Sequence, residues 1–230
     1  MNWHILERAL AKEKYIHIAL IGGTGLVGSA VLTELTSRDV DVTAIIRTPG
    51  KITENQHVTP VVADVYDTAA LTDSLRGVDI VVSAFNPGWT NHDYVADFAR
   101  GSSSIQAAAR AADVSRLIVI GGAGSLYAGG TQLVDTPDFP EAFRAAAGAA
   151  RDYLEVLTHE SDLDWVFVSP PIEFGPTGPT ERRGMYRTGS NEPVFDATGH
   201  STISAADLAL AIVDEAMTPA HHCERFTVGY

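Results

Sequence analysis

The chain has 230 residues, of which 45% are hydrophobic, and its formal net charge is −13. This length suits one medium-sized domain with at most a small appended lobe. Nucleic-acid binding needs clustered lysines and arginines, but this chain has only three lysines, and its arginines are scattered. No run reaches the ~18 apolar residues of a membrane span, and the charged N-terminus is unlike a secretory signal. With a single cysteine, Cys223, the composition predicts a cytoplasmic protein with no nucleic-acid or membrane partner.

Short β-rich apolar runs alternate with longer helical patterns along the chain. The predicted strands cover residues 16–21, 40–46, 59–63, 78–83, 116–120, 165–168 and 225–228. The predicted helices cover about 25–37, 68–75 with Asp67 as N-cap, 93–112 and 140–158. A last helix begins at Ser204, which with Asp207 resembles a capping box with the shorter acid. This alternation is typical of an α/β fold with a parallel sheet and helices on both faces.

Other stretches need separate predictions. Residues 1–14 are predicted to be an N-terminal arm before a single domain over 15–230, and the Gly-rich residues 121–139 a loop. Residues 170–203, rich in proline and glycine, are predicted to be an irregular lobe, with 185–195 as a hairpin around 189–191. In the helix over 140–158, the predicted buried stripe is Phe143, Ala146, Ala150, Leu154 and Leu157.

The strongest motif is a glycine-rich turn that follows the first predicted strand and opens the first predicted helix. It reads Gly22, Gly23, Thr24, Gly25, Leu26, Val27, Gly28. Gly22 allows a tight turn, Gly25 lets the backbone approach a pyrophosphate, and Gly28 lets the helix pack closely on the strand. The free N–H groups at the start of the helix favour phosphate there. The motif therefore predicts a dinucleotide site, with a purely structural strand–helix turn as the alternative.

Residues at the ends of the second and third strands bear on which dinucleotide is bound. Arg47 stands where NAD-binding proteins place a carboxylate, and Lys51 follows closely. A guanidinium favours the 2′-phosphate, so NADP(H) is the predicted cofactor, with NAD(H) left open. A solvated arginine is the alternative. Asp64 and Val65 are candidates for contact with the adenine, although Asp64 is equally suited to capping a turn.

Four segments carry a resemblance to a known family, in the same order along the chain. They are 22–28 (GGTGLVG), 61–64 (VVAD), 81–88 (VVSAFNPG) and 116–126 (RLIVIGGAGSL). With them the chain resembles an atypical short-chain dehydrogenase/reductase, above all the NAD(P)H-binding group of NADH-flavin reductases. It is similar more distantly to biliverdin reductase B and NmrA-like redox sensors. The resemblance covers about residues 15–230.

The resemblance implies a Rossmann-type, doubly wound parallel sheet of about seven strands in the order 3-2-1-4-5-6-7, with a small C-terminal substrate lobe. It also implies where the dinucleotide lies. The implied contacts, besides the glycine-rich turn, are Arg47, Asp64, Ser83, Ala84, Phe85, Gly121, Gly122 and Pro170.

Typical members of the wider superfamily use a Tyr-x-x-x-Lys pair for proton transfer. The lysines here are Lys12, Lys14 and Lys51, and none lies four residues after a tyrosine. An acceptor that takes its proton from solvent, such as a flavin or a quinone, does not need the pair. The candidate acceptor-site residues are Phe85, Asn86, Trp89, Ser125, Tyr127, Phe174 and Tyr186, each with loop packing as the alternative. Ser125 is also a catalytic candidate.

Two functions follow from these residues. The first is an NAD(P)H-dependent oxidoreductase that transfers hydride to a planar acceptor, and the second is a non-enzymatic NADP(H)-binding regulator of the NmrA type. A monomer or a homodimer is expected. His221, His222 and Cys223 have no second His/Cys cluster to complete a metal site, so no metal is expected.

Overall fold

The computed structural model describes residues 16–230, so the predicted arm at 1–14 lies outside the described residues. The strands are β1 (His17–Ile21), β2 (Asp41–Ile46), β3 (Val58–Val62), β4 (Ile80–Ser83), β5 (Arg116–Ile120), β6 (Tyr127–Ala128), β7 (Thr131–Gln132), β8 (Asp164–Ser169), β9 (Arg187–Gly189) and β10 (Glu224–Gly229). The helices are α1 (Leu26–Ser37), α2 (Thr68–Ser74), α3 (Tyr94–Ala111), α4 (Glu141–Thr158) and α5 (Ala205–Met217).

Eight strands form one sheet in the order β3-β2-β1-β4-β5-β8-β10-β9. All neighbours are parallel except β9, which runs antiparallel to β10 at the edge. The Rossmann-like α/β fold and the order of its seven parallel strands are thereby confirmed. The chain order reverses between β1 and β4, and open α/β sheets bind ligands beyond the carboxyl ends of their strands at such a point.

The sheet is covered on both faces, which explains why its strands are nearly continuous apolar runs. On one face, Leu71, Ile105 and Leu157 of α2, α3 and α4 belong to one buried cluster. On the other face, Leu35 of α1 and Leu208 of α5 belong to a second. In the described part of the chain, no helix is long and apolar enough to cross a membrane.

Two helix starts confirm the capping predictions. The carboxylate of Asp67 accepts a hydrogen bond from the N–H of Ala70 at 3.0 Å before α2. The hydroxyl of Ser204 accepts one from the N–H of Asp207 at 3.1 Å before α5. Each cap supplies a partner for one of the free N–H groups in the first turn.

The predicted hairpin over 185–195 is wrong. Residues 187–189 instead form β9, which pairs with the open edge of β10. The return segment contains Pro193, which has no N–H to donate to a strand partner. The adjacent Val194 is buried and packs against Gly189 and Gly229. Burial of Val194 and pairing with the edge strand thus replace the local hairpin.

Two further predictions need correction. Residues 121–139 are not a plain loop, because β6 and β7 form a small hairpin across Gly129 and Gly130, both with positive φ. The buried stripe of α4 is Ala149, Ala150, Tyr153 and Leu157, whereas Phe143 is 56% exposed. The first three residues of α4 are all exposed, so Phe143 lies on the surface, although the periodic pattern predicted it in the core.

Candidate functional site

The glycine-rich turn joins β1 to α1, and two of its glycines are sterically required. Gly22 has φ of +81°, and a Cβ there would overlap the carbonyl of Ala84 in the next strand connection. A Cβ on Gly28 would overlap the carbonyl of Gly22. The turn is closed by a hydrogen bond of 3.0 Å from the N–H of Gly25 to that same carbonyl. These contacts fix the path of the backbone into the helix.

Gly25 differs from its two neighbours, because the protein itself leaves room for a side chain there. Its φ is −84°, and an added Cβ would meet only the carbonyl oxygen of Gly22, at an ordinary 3.5 Å. Gly25 and Leu26 are exposed. Within the described residues no side chain caps α1, and its first turn carries no acidic residue. The first N–H groups of α1 are therefore free to bind an anion such as a pyrophosphate.

The carboxyl ends of the neighbouring strands β1, β4, β5 and β8 lie at the sheet edge that carries this turn. The N–H of Ala84, after β4, donates to the carbonyl of Ile21 at 2.9 Å. The N–H of Gly121, after β5, donates to Val168 of β8 at 2.9 Å, and a Cβ on Gly121 would overlap the ring of Phe167. The other predicted contacts at this edge are Ser83, Gly122 and Pro170, of which Ser83 and Pro170 are buried. The predicted cofactor residues on these strands therefore line one edge of the sheet.

The ends of β2 and β3 present charged side chains at the same edge. Arg47, directly after β2, is exposed and forms no ion pair or hydrogen bond within residues 16–230. Asp64 accepts a hydrogen bond from the N–H of Tyr66 at 3.0 Å, so its carboxylate caps a turn. Val65 is half-buried and packs against the core. Lys51 is exposed.

Phe85 is half-buried and belongs to a group of rings beside α3. Its ring stacks on Phe98, with centroids 6.2 Å apart, and meets Tyr66 edge-on at 6.1 Å. A Cβ on Gly101 would overlap the Phe85 ring, which explains why this helical position is a glycine. Phe85 therefore contributes to packing at this edge of the sheet.

Trp89 and Phe143, which are exposed, form with the half-buried Tyr94 a group that we call the aromatic corner. Trp89 stacks on Tyr94 with centroids 5.8 Å apart, and Phe143 meets Trp89 at 82° and 6.5 Å. Trp89 is 71% exposed and Phe143 56% exposed. Asn86 holds the loop, because its Oδ1 accepts from the N–H of Gly88 at 2.8 Å and its Nδ2 donates to the Tyr94 hydroxyl at 2.9 Å. The corner offers one ring face and one perpendicular wall for a flat ligand.

Ser125 is buried rather than open to a ligand. It lies in a 3-10 turn after β5, is 1% exposed, and its hydroxyl accepts a hydrogen bond from Arg225 at 3.2 Å. Tyr127 is exposed, and its backbone N–H donates to the carbonyl of Asn191 at 2.8 Å. The segments 121–139 and 170–203, predicted to be a loop and an irregular lobe, therefore meet beside Ser125.

The remaining acceptor candidates, Phe174 and Tyr186, lie on the opposite face of the sheet from Phe85 and Tyr94. Both are half-buried and pack against the core layer that contains α1 and α5. The hydroxyl of Tyr186 donates to Asp214 at 2.9 Å. These contacts anchor the 170–203 segment onto α5, and the structure does not bring the two rings into the aromatic corner.

Tyr153 is the tyrosine of α4, the helix that follows β5. Its side chain is buried, and its hydroxyl donates to the carbonyl of Ser102 at 3.2 Å. Burial, with a smaller contribution from Glu160, raises the pKa of this hydroxyl well above its usual range. No lysine follows it at the fourth position, which is Leu157. Tyr153 therefore has neither the exposure nor the neighbour needed to exchange a proton with a substrate.

Sequence reasoning missed Arg225 and Asn191, and it assigned Phe143 to the core. The available signal was a charged residue, Arg225, inside the predicted strand over 225–228. Its neighbours Ser125 and Asn191 are 100 and 34 residues away, so no local pattern connects them.

Comparison with protein-family models decides the family. A model described as NAD(P)H-binding matches residues 22–219. This range includes the glycine-rich turn and the parallel strands β2, β3, β4, β5 and β8. The chain belongs to the NAD(P)H-binding family. The glycine-rich turn thus lies in a chain whose family is described as NAD(P)H-binding.

Three similar proteins extend over almost the whole chain. A protein of Bacillus subtilis named "uncharacterized protein" is 36% identical over 214 residues, which are 92% of this chain and 97% of that protein. A Bacteroides thetaiotaomicron structure named "putative epimerase" is 39% identical, with a TM-score of 0.85 and coverage of 94% and 98%. A Streptococcus pneumoniae structure named "putative NADH-flavin reductase" is 34% identical, with a TM-score of 0.82 and coverage of 93% and 99%.

Proposed function

We propose that this protein is an NAD(P)H-dependent oxidoreductase that transfers a hydride to a planar acceptor such as a flavin or a quinone. The observation that carries the proposal is the free start of α1 at Gly25, at the sheet edge that leads to the aromatic corner. The name of the Streptococcus pneumoniae relative supports this reaction class. The name of the Bacteroides relative suggests epimerisation, but the buried Tyr153 and the missing lysine argue against tyrosine-dependent chemistry here.

The protein's own contribution is binding and orientation. When bound, the reduced nicotinamide supplies a hydride, and the acceptor completes its two-electron reduction with a proton from water. The N–H groups that follow Gly25 hold the pyrophosphate, and the edge formed by Ala84, Gly121 and Gly122 gives the nicotinamide a surface without bulky side chains. Trp89 and Phe143 hold the flat acceptor against that surface and exclude water from one of its faces.

Turnover assays test the proposal directly. Purified protein, NADPH and a panel of riboflavin, FMN and quinones are mixed, and absorbance of the reduced nicotinamide is followed. Oxidation above the protein-free rate with at least one planar acceptor is expected. No oxidation across the panel, together with tight binding of both redox forms of the cofactor, would refute the proposal and favour a non-enzymatic regulator.

The preference for NADP(H) rests on Arg47. Because its guanidinium is exposed and unpaired within the described residues, it is free to form two charge-assisted hydrogen bonds with a 2′-phosphate. We expect Arg47→Glu to weaken NADPH binding roughly 100-fold and NADH binding less than about threefold. Isothermal calorimetry on both dinucleotides measures this. Arg76→Glu, at a 69% exposed arginine after α2, is the charge-matched control. Equal losses for NADPH and NADH would contradict the assignment.

The aromatic corner gives a second expected result. Replacing Trp89 by alanine removes the exposed ring face, and loss of one stacking contact is worth ~1 kcal/mol. We therefore expect the KM for riboflavin to rise roughly fivefold, with little change in the KM for NADPH. Val156→Ala, 49% exposed near the far end of α4, is the control that should change neither constant. An unchanged KM for riboflavin in the Trp89 variant would remove the acceptor from this corner.

A further inference from the structure

Arg225 on β10 is a buried cation that no carboxylate neutralises. It is 9% exposed, and within residues 16–230 it forms no ion pair. Its guanidinium donates to the carbonyl and hydroxyl of Ser125 and to the side-chain oxygen of Asn191, while its Nε is buried without any partner. Burying a charged group with only neutral partners is costly, so the missing counter-charge calls for an explanation.

The chain itself shows how it neutralises a buried arginine elsewhere. Arg116, at the start of β5, is 4% exposed and contacts two carboxylates, those of Asp164 and Glu215. The sequence contains 29 acidic residues, so a carboxylate beside Arg225 was available to it. Instead, the side chains around this guanidinium are those of Ser125, Tyr127 and Asn191, which are all neutral.

Strand register places Arg225 at the level of the cofactor edge but far from the pyrophosphate. Arg225 is aligned with Phe167, Phe167 with Val119, Val119 with Ser83, and Ser83 with Ile21, the last residue of β1. Four strand spacings separate β1 from β10, which is roughly 19 Å. Phosphates bound at α1 would therefore be too distant to pair with Arg225, whereas an acceptor bound beyond the nicotinamide, toward β8 and β10, would come closer to it.

We propose that Arg225, with Ser125, Asn191 and Tyr127, forms a binding site for an oxyanion carried by the acceptor, either a phosphate or a carboxylate. This proposal rests on the proposed function, because it assigns a specificity residue to the proposed acceptor site. Tyr127 and Asn191 are both exposed and cover the guanidinium from two different chain segments. The oxyanion replaces Asn191 as the partner of the guanidinium and supplies the missing negative charge.

Two matched pairs of acceptors test the site. Riboflavin and FMN share one ring system and differ by a phosphate, and a quinone with a carboxylate side chain is compared with its neutral parent. For the wild type we expect the KM of each anionic member to be at least roughly tenfold below that of its neutral partner. Arg225→Gln should remove this difference and leave the KM of the neutral acceptors and of NADPH unchanged. Preference for one anionic member alone identifies phosphate or carboxylate as the recognised group.

The control is Arg187→Gln, an exposed arginine on the adjacent β9 that donates to the carbonyls of Phe195 and Tyr230. It should keep the preference for the anionic acceptors. If Arg225→Gln does not fold, competition on the wild type replaces it. Inorganic phosphate should then inhibit the reaction with the anionic acceptors and spare riboflavin, compared with sodium chloride at the same ionic strength.

Flavin binding without nicotinamide separates this inference from the proposed function. Flavin fluorescence quenching by the protein should favour FMN over riboflavin in the wild type and lose that preference in Arg225→Gln. If quenching is selective but no acceptor is reduced, the anion site stands and the proposed reaction fails. If acceptors are reduced with equal constants for each matched pair, the anion site is refuted and the reaction stands.

Discussion

Gly25→Ala is expected to fold like the wild type and to lose dinucleotide affinity by roughly 100-fold. The protein has room for this methyl group, since its nearest contact would be the carbonyl oxygen of Gly22 at 3.5 Å, and φ of −84° suits alanine. A pyrophosphate seated on the start of α1 has to occupy the same space, because it must approach the backbone closely. Calorimetric titration with NADPH measures the affinity, and thermal unfolding of the free protein measures the stability.

Gly28→Ala is the control that separates a structural glycine from a binding glycine. A Cβ at position 28 would overlap the backbone of Gly22 and Gly23, so the free protein itself should be destabilised by several kcal/mol. If Gly25→Ala keeps full affinity for NADPH, the dinucleotide does not rest on this turn, and the proposed function loses its basis. A destabilised Gly25→Ala protein would instead show that the free turn is tighter than its contacts indicate.

Asp207→Ala is expected to reduce the free energy of unfolding by about 3–5 kcal/mol. The carboxylate of Asp207 is fully buried and accepts hydrogen bonds from the N–H groups of Arg183 and Gly184 at 2.7 and 2.9 Å. It also accepts from the hydroxyls of Tyr230 at 2.5 Å and Ser204 at 3.0 Å. Its removal takes this acceptor from the buried hydroxyls of Tyr230 and Ser204 and weakens the attachment of the 170–203 segment to α5. Urea unfolding followed by circular dichroism measures the change.

The same residue gives a pH dependence with a defined sign. Burial by itself raises the pKa of Asp207, but the hydrogen bonds from Tyr230, Arg183, Gly184 and Ser204 outweigh it, so the pKa lies below its ordinary value. A carboxyl whose pKa is lowered by folding stabilises the protein above its unfolded pKa of about 4 and loses that contribution as the pH falls through the folded value. The stability difference between wild type and Asp207→Ala should therefore shrink in acid.

Asp73→Asn provides the comparison for Asp207. Asp73 is 74% exposed and, within residues 16–230, forms its one ion pair with Arg76 on the surface, so its removal should change the unfolding free energy by less than about 1 kcal/mol. A second buried carboxylate holds the same segment, because Glu34 of α1, 4% exposed, accepts a hydrogen bond from Arg182 at 2.5 Å. An Asp207→Ala protein as stable as Asp73→Asn would show that the segment is held by packing alone.

The sequence by itself determined the order of strands and helices along the chain and the position of the glycine-rich turn between β1 and α1. Strand runs, the caps Asp67 and Ser204, and the glycine at 28 are local signals, because the residues that make each contact lie within a few positions of one another. The missing Tyr-x-x-x-Lys pair was also readable from the sequence, since it is a spacing within one helix.

Only the tertiary structure decided what the irregular segments do. Pairing of β9 with β10, the exposure of Phe143 and the contact of Ser125 with Arg225 depend on residues far apart in the chain, in the last case by 100 positions. Such contacts depend on which edges and charges the folded sheet leaves unpaired, and no local spacing encodes that. The proposed dinucleotide site is thus a local motif, whereas the proposed acceptor site depends on the packing of distant segments.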